Sequence, residues 1–103
     1  MNKKYHKDCP IAQIATLLSD PWTMLIIRDL LKREMRFSDL ERSLVGISSR
    51  TLTSKIKHLE DENLITKKTL FYSMTKKGAK LDSVLNAMSV CGKSMIDKKK
   101  NSK

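Results

Sequence analysis

Glycine, proline and aromatic residues are scarce in this sequence. Of its 103 residues, three are glycine and two are proline, and Phe, Tyr and Trp together make up 5%. The chain therefore lacks the turn formers that a β-sandwich or a loop-rich fold requires, which favours helices. With 40% hydrophobic and 31% charged residues it is typical of a folded domain, and its length accommodates one domain. Such a small domain buries a modest core, so a partner subunit would add to its stability.

A long apolar run is also missing. The most apolar stretch, residues 24–27 (MLII), ends at Arg28, far short of the roughly 20 residues that cross a bilayer. Residues 11–18 are interrupted by Gln13 and carry no cleavage site, so they do not predict a signal peptide. We therefore expect a cytoplasmic protein with no membrane partner.

Residues that carry chemistry are sparse. The two cysteines, Cys9 and Cys91, are too few for a disulfide framework and are expected to be reduced in the cytoplasm. His6 and Cys9 have a helix-like spacing, but two ligands are too few for a structural zinc site, so no metal is predicted. The sequence contains no glycine-rich phosphate loop, no nucleophile–base pattern and no pair of catalytic carboxylates. We predict neither an enzyme nor a bound cofactor.

Acidic residues are outnumbered by basic ones. The chain has 21 Lys and Arg against 11 Asp and Glu, a formal net charge of +10, which points to a nucleic acid or an acidic membrane surface as partner. Part of this excess lies in a basic N-terminal arm (residues 1–8) and a Lys-rich tail (residues 98–103), which flank one predicted domain, residues 9–97. Such tails say little about specificity. The informative excess lies between Arg50 and Lys80, where eight basic residues face three acidic ones.

Two helices are predicted in the first third of the chain. Pro10, a residue favoured at the first helical position, opens a helix whose apolar face includes Ile11 and Ile14. A second helix, residues 21–33, begins after Asp20, which fits an N-cap. This second helix is apolar on nearly every side, so we place it in the middle of the core.

A helix-turn-helix pattern comes next. After a short strand-like link at residues 35–37, Ser38 and Glu41 match a capping box, which predicts a short helix ending at Leu44. Gly46 then breaks the chain. A short capped helix and a glycine-containing turn are the first two parts of a helix-turn-helix.

The third part is a longer helix. Its N-cap is Ser48 or Ser49, two alternatives that the sequence leaves open, and it runs to about Glu62. Asn63 then fits the left-handed position at which helices often end.

The outer face of this longer helix carries side chains suited to reading DNA. Leu52, Ile56 and Leu59 define its core side. The side chains that docking into DNA needs are Ser49, Arg50, Thr53, Ser54 and Lys57. Base edges in the major groove are read by side chains near the N-terminus of one helix, and Arg50 is the residue here that can clamp guanine with two hydrogen bonds. Taken alone, the pattern fits an ordinary solvated helix equally well, but the capped helix before it and the hairpin after it favour DNA.

β-prone residues replace the helical pattern after Asn63. Residues 64–66 and 71–75 predict a hairpin, and residues 76–96 predict a last long helix. The predicted fold is therefore mainly α with a small β-hairpin, a winged helix-turn-helix of about five helices.

The order of these elements, together with a series of short motifs, resembles the HxlR family of winged helix regulators, relatives of the MarR-type repressors. The motifs are Cys9-Pro10, residues 20–30 (DPWTMLIIRDL), 36–40 (RFSDL), 46–48 (GIS), 52–53 (LT), 59–65 (LEDENLI) and 72–78 (YSMTKKG). They span about residues 9–92, nearly the whole predicted domain.

The resemblance implies a homodimer, formed through the first and last helices, that binds a near-palindromic operator in double-stranded DNA. The helix at residues 49–62 would enter the major groove, and the hairpin would act as a wing along the backbone or minor groove. The predicted DNA-contacting residues are Ser38, Ser48, Ser49, Arg50, Thr53, Ser54, Lys57, Lys67 and Lys68.

The hairpin departs from the family pattern. Only residues 68–70 separate Lys67 from Phe71, and none of them is the Gly, Asn or Asp that a tight turn prefers. The wing is therefore expected to be short, which leaves its minor-groove contact open, while Lys67, Lys68, Lys76 and Lys77 are placed to meet phosphates. Asn63 also replaces the glycine usual in the family.

The last helix carries an apolar stripe at spacings of three and four residues. Its members are Leu81, Val84, Leu85, Met88, Cys91 and Met95. Together with Ile11 and Ile14 it is predicted to form the dimer interface, because it is too long and too apolar for one small core. The alternative is that the stripe packs only within its own chain.

Cys9 is the candidate sensor. It precedes Pro10, where the helix dipole favours a thiolate, and some members of the resembled family use a cysteine at this place to sense oxidants or electrophiles. An oxidant or small-molecule effector is therefore implied. Pairing of Cys91 with Cys9 of the partner subunit, and a plain apolar role for a buried thiol, stay open, and core packing explains Trp22 better than a ligand pocket does.

These observations predict a sequence-specific transcriptional regulator. A protein of another class stays open: an interaction module that uses the same scaffold without specific DNA recognition, because a fold does not determine a function. Neither the operator nor the direction of regulation follows from the residues.

Overall fold

The computed structural model describes residues 8–101, with side chains described from residue 8 to residue 96. The predicted N-terminal arm lies outside the described residues except for Asp8, and the side chains of the Lys-rich tail lie outside them as well. The elements in chain order are α1 (Pro10–Leu17), α2 (Pro21–Lys32), β1 (Met35–Arg36), α3 (Phe37–Ser43), α4 (Ser49–Asp61), β2 (Ile65–Lys68), β3 (Phe71–Met74), α5 (Lys76–Ala79) and α6 (Asp82–Asn101). The mainly helical winged fold with a hairpin is confirmed.

Several helix ends follow from local sequence. The Asp20 carboxylate caps α2 by accepting a hydrogen bond from the Thr23 amide at 2.8 Å. Ser48, rather than Ser49, is the N-cap of α4, and its hydroxyl accepts from the Thr51 amide at 3.0 Å. Asn63 adopts a positive φ of 64° after α4, as predicted for a residue that tolerates the left-handed conformation.

The start of α3 differs from the prediction. The helix begins at Phe37 with Arg36 as N-cap, and the Asp39 carboxylate accepts from the Arg36 amide at 3.0 Å. The predicted box of Ser38 and Glu41 is therefore wrong. The reason lies in the sheet, because Arg36 is held extended by pairing with Phe71 in β3, and the helix starts two residues earlier than predicted.

The sheet contains three antiparallel strands in the order β1-β3-β2. β2 and β3 form the wing, with Lys67 opposite Tyr72 and Lys68 opposite Phe71. The turn between them therefore consists of two residues, and its first residue, Thr69, has a φ of 59°. A β-branched residue is strained in this conformation, so the wing is short, as predicted, and its turn is unfavourable for the residue that occupies it.

The core surrounds α2, as its apolar surface predicted. Ile26 and Ile27 in α2 are fully buried, together with Leu40 of α3 and with Leu52 and Leu59 of α4. Trp22 packs against this cluster, which confirms a core role for it. None of the described helices is by itself long and apolar enough to cross a membrane, and α1 and α2 reach that length and composition only as a pair bent by 92°.

The last predicted helix is divided in two. The single turn α5 ends at Ala79, and α6 begins at Asp82. Leu81, at the break, is only 4% exposed and belongs to the core, so its predicted place in a dimer interface is wrong. Just before the break, Gly78 packs directly against the backbone of Leu64, so α5 is in contact with the segment that follows α4.

Candidate nucleic-acid interface

The outer face of α4 is free and basic. Its inner face is anchored by Leu52 and Leu59, both 0% exposed. On the outer face the predicted readers are exposed, namely Arg50, Thr53, Ser54 and Lys57. Among the described residues, Arg50, Thr53 and Ser54 have no hydrogen-bond partner, so their polar groups are available to a ligand.

Lys57 is paired only loosely. Its ammonium lies 3.8 Å from the Asp61 carboxylate one turn later, and both side chains are mostly exposed. Exposed pairs of this kind contribute little to stability. Lys57 can therefore exchange Asp61 for a phosphate or a base edge at small cost.

The two serines at the start of α4, unlike the exposed side chains of its outer face, make hydrogen bonds within the chain. The Ser48 hydroxyl accepts from the Thr51 amide and donates to the Thr51 hydroxyl at 3.0 Å. The Ser49 hydroxyl donates to the Glu41 carboxylate at 2.7 Å. Both serines position the N-terminus of α4, and their contact with DNA stays a prediction. Ser38 is exposed in the first turn of α3, where its contact with DNA stays a prediction too.

A buried carboxylate that sequence reasoning did not single out joins α3 to α2. Asp29 is 3% exposed, and it accepts from the Ser43 hydroxyl at 2.6 Å and from the Arg28 guanidinium at 2.9 Å. A lone acidic residue inside the apolar sequence of α2 was the signal that could have identified it. Because a buried carboxylate must be hydrogen-bonded, Asp29 fixes the end of α3 against the central helix.

α4 is held in place by polar contacts at three levels. Ser49 bonds Glu41 at the N-terminus, as described above. In the middle, the Lys55 ammonium lies 3.4 Å from the Asp20 carboxylate. At the C-terminus the Lys77 ammonium donates to the Glu62 carbonyl at 2.9 Å, while its predicted contact with a phosphate stays a prediction.

Two carboxylates in these contacts have lowered pKa values. Partial burial acts to raise the pKa of Asp20, but the hydrogen bonds from Thr23 and the charge of Lys55 outweigh it, so the pKa lies below its usual value of 3.8. The pKa of Asp39 is lowered first by the hydrogen bond from the Arg36 amide and then by the charges of nearby arginines, among them Arg42. Both groups are therefore charged under ordinary conditions.

The wing presents cations above aromatic rings. The Lys67 ammonium lies 5.4 Å from the centre of the Tyr72 ring, and the Arg36 guanidinium lies 5.6 Å from that of Phe71, distances typical of cation–π contacts. Lys68 is exposed, as is Leu70 at the tip with 57% of its surface accessible. Arg36 was not among the predicted contacts, because its position in a strand depends on the pairing with β3.

Apolar side chains are exposed on α1 and α6. Ile11 is 79% exposed and Ile14 37%, and α1 buries none of its residues in the fold. On α6, Met88 is 47% and Met95 65% exposed. Val84 and Leu85 are half-buried against the core, so they belong partly to the chain's own packing. Val90 and Ile96, outside the predicted stripe, are exposed as well, and Val90 lies on the other side of α6 from Met88.

An apolar groove separates α2 from α6. It has a volume of about 570 Å³, and its lining includes Met24 and Leu25 on one side and Leu85 and Met88 on the other. The groove joins the exposed apolar surface of α6 to the core helix.

The two thiols occupy different surroundings. The Cys9 sulfur caps α1 by accepting from the Ala12 amide at 3.4 Å, and the residue is half-buried. Cys91 is exposed on α6, with its Sγ 3.9 Å from the Sδ of Met95. The predicted capping position of Cys9 is confirmed. The described residues contain no group of three or more His, Cys, Asp or Glu that could hold a metal ion.

A capped short helix, a tight turn and an exposed basic second helix beside a β-hairpin define a winged helix-turn-helix protein, a class whose members bind DNA. The family is shown by comparison. A model of the HxlR-like helix-turn-helix family matches residues 17–100, and the chain belongs to this family. It is therefore a transcriptional regulator of the HxlR type and not an enzyme.

Known relatives agree with this assignment. The regulator YvaP of Bacillus subtilis, itself described as uncharacterised, is 34% identical over 97 residues, which cover 86% of this chain and 90% of YvaP. The uncharacterised regulator sll1512 of Synechocystis is 31% identical over 96 residues, covering 86% and 71%. Among solved structures, quinone-bound YodB from Bacillus subtilis superposes with a TM-score of 0.77 at 28% identity, covering 84% of this chain and 99% of that one.

Proposed function

We propose that this chain binds a near-palindromic operator in double-stranded DNA as a homodimer, and that it regulates transcription in the cytoplasm. The observation that carries the proposal is the outer face of α4. There Arg50, Thr53 and Ser54 are exposed and without a hydrogen-bond partner among the described residues, while the opposite face is fully buried. A side-chain set of one guanidinium and two hydroxyls is suited to base edges in the major groove.

The charge pattern determines which half of α4 faces DNA. Arg50 lies in its first turn, whereas Glu60, Asp61 and Glu62 cluster at its C-terminal end. Because phosphates repel that acidic cluster, the N-terminal half enters the groove. Lys68 and Arg36 both lie beside Phe71, next to the turn of the wing, where they are suited to the phosphate backbone beside the groove.

Dimerisation through α1 and α6 is supported by the apolar surfaces described above. The Cα atoms have a radius of gyration of 15.2 Å, whereas a compact chain of this length has about 13 Å. A partner subunit that covers Ile11, Met88 and Met95 would remove this apolar surface from water. Two-fold symmetry then places two α4 helices on successive turns of one face of DNA, about 34–36 Å apart.

The second part of the proposal is that a thiol-reactive effector controls DNA binding through Cys9. Cys9 lies at the N-terminus of α1, whose outer face belongs to the proposed dimer interface, so a modified sulfur would alter the contact of that helix with the partner. The relative YodB has been solved with a bound quinone, which supports an electrophile or oxidant as effector.

The test is fluorescence anisotropy under reducing conditions. The full chain is titrated against a duplex from its own upstream region and against a random duplex, at several salt concentrations. A specific regulator binds its operator about 10³-fold or more tightly than random DNA. Equal and steeply salt-dependent binding to both duplexes leads to a selection from random sequences, and failure of that selection would favour the interaction module over the DNA-binding regulator.

A further inference from the structure

One ion pair joins the DNA-reading helix to the rest of the fold. Among the described residues there are four ion pairs. Three of them each join two residues of the same helix, in α2, α3 and α4, and only the pair of Lys55 and Asp20 connects two parts of the fold. Lys55 lies in α4, and Asp20 lies at the elbow between α1 and α2. The side chains are 30% and 31% exposed, so water screens this pair less than it screens the exposed pair of Lys57 and Asp61.

Asp20 is held rigidly from the other side. Its Oδ2 accepts from both the amide and the hydroxyl of Thr23, at 2.8 and 3.0 Å, while its Oδ1 faces Lys55. Thr23 is itself only 2% exposed. Both carboxylate oxygens are therefore used, and the oxygen that faces α4 is fixed by a buried anchor.

Lys55 lies on the side of α4 between its exposed outer face and its buried inner face. It is flanked in sequence by Ser54, on the outer face, and by Ile56, in the core. Together with Ser54 and His58 it lines a polar cleft of about 310 Å³ between α4 and the end of α1. A small rotation of α4 about its own axis would change the distance from Lys55 to Asp20 and, at the same time, the direction of Arg50 and Thr53.

We propose that Asp20 and Lys55 are positioning residues for DNA recognition, because their ion pair sets the rotation of α4 against the α1–α2 elbow. Neither residue reads a base. The pair makes the orientation of α4 depend on the elbow, so it couples the dimer helix α1 to the DNA-reading side chains. This inference rests on the proposed function, since it concerns the accuracy with which the same surface meets DNA.

The test separates positioning from charge. Asp20→Asn keeps an N-cap acceptor for Thr23 but removes the charge that holds Lys55, and it raises the net charge of the chain by one. Lys55→Met breaks the same pair and lowers the net charge by one. Binding to random DNA should therefore strengthen in the first variant and weaken in the second. The preference for operator over random DNA should instead fall in both variants. We expect a fall of about threefold to tenfold, as for residues that act on a site from outside it. Lys55→Arg, which keeps the positive charge opposite Asp20, should retain the preference of the wild type.

The double variant and a melting curve complete the experiment. Asp20→Asn with Lys55→Met should reduce the preference no further than Lys55→Met alone, because the two residues act through one contact. All variants are compared well below their unfolding temperatures, so that loss of folded protein does not enter the ratio. If the wild type prefers an operator and both single variants retain that preference in full, the inference is overturned while the proposed function stands. A wild type without preference for any duplex overturns the proposed function and the inference together.

Discussion

The backbone carbonyl of Leu64 occupies the space into which a side chain at Gly78 would project. A Cβ at this position would overlap that oxygen and would also meet the end of the Met74 side chain. Gly78 is buried in α5, and the adjoining Thr75 hydroxyl donates to the Asn63 carbonyl at 2.7 Å and makes a longer contact with that of Leu64 at 3.1 Å. The end of the wing and the end of α4 are thereby fastened together at one glycine.

Gly78→Ala should therefore destabilise the protein. We expect a loss of about 2–3 kcal/mol in the free energy of unfolding, the upper part of the range for overpacking, because the clash is with backbone. Urea denaturation measures this loss. Gly92→Ala is the matched control, because nothing lies within 4 Å of an added Cβ there. In the middle of α6 that change should add up to about 1 kcal/mol. Equal stability of the two variants would contradict the close approach at Gly78.

Removal of Arg50 should change sequence preference. Arg50→Ala is expected to cost about 1–3 kcal/mol at the operator and to relax the preference at one base pair, while random DNA is affected far less. Lys68→Ala should instead weaken all duplexes alike and reduce the slope of affinity against salt by about one ion. Lys68 is a better choice than Lys67, whose removal would also disturb the contact with Tyr72. Lys93→Ala, which removes one charge on α6, controls for net charge, and an Arg50 variant that behaves like it would contradict base reading.

A charge on the outer face of α6 should separate the dimer. Met95→Glu places a carboxylate on a surface that is now 65% exposed and apolar, and burying that charge against a partner is costly. We expect the dissociation constant of the dimer to rise at least about tenfold, measured by analytical ultracentrifugation. Ser94→Glu introduces the same charge on another side of the helix and should leave the dimer intact. A chain that is monomeric before any substitution would refute the α1–α6 interface.

Substitution of Cys9 should abolish a response to oxidants. Serine is a better N-cap than cysteine, so Cys9→Ser keeps the start of α1 while removing the reactive sulfur. With benzoquinone or peroxide, the operator affinity of the wild type should change, and that of Cys9→Ser should not. Cys91→Ser distinguishes modification of Cys9 alone from a disulfide with the partner subunit. If Cys9 acts alone, this variant should still respond to oxidant, and if the disulfide is required, it should not. An unchanged wild-type affinity under oxidant would remove the thiol from the mechanism.

The Asp20 carboxylate should make stability depend on pH. Its pKa is lowered in the folded chain, so the stability it adds is fully present above its usual value of 3.8 and is lost as the pH falls through the lower folded value. Wild type should therefore exceed Asp20→Asn at pH 7, by up to about 1 kcal/mol for a partly exposed pair, and the difference should vanish towards pH 2. Thermal unfolding at both pH values measures it. Asp61→Asn, in an exposed pair, should show no comparable loss at pH 7.

Local signals in the sequence were sufficient for much of the fold. Asp20 and Pro21 marked the start of α2, because capping depends on neighbours within a few residues. For α4 the sequence narrowed the N-cap to Ser48 or Ser49 and marked the end at Asn63. The inner face of α4 followed from spacing alone, and so did the outer face with Arg50. What determines these features lies within one helical turn of each residue.

Contacts between distant segments were not visible in this way. The carboxylates of Asp29 and Glu41 are engaged by Ser43 and Ser49, and no spacing rule indicates such partners. Leu81 fitted the helical spacing of the stripe, yet it lies between α5 and α6 and is buried in the core. The start of α3 shifted for the same reason, since the pairing of Arg36 with Phe71 outweighed the favourable cap at Ser38.

The two-residue wing turn has a consequence for how this regulator finds its site in a genome. In the proposed complex, so short a hairpin leaves base reading mainly to the N-terminal half of α4. One helix with about four reading side chains distinguishes only about three or four base pairs. A sequence of three or four base pairs recurs throughout any chromosome, so one subunit alone would bind at many sites other than the operator. In the proposed homodimer, discrimination would depend on two half-sites at the correct separation, so the spacing between them would add to what the bases specify.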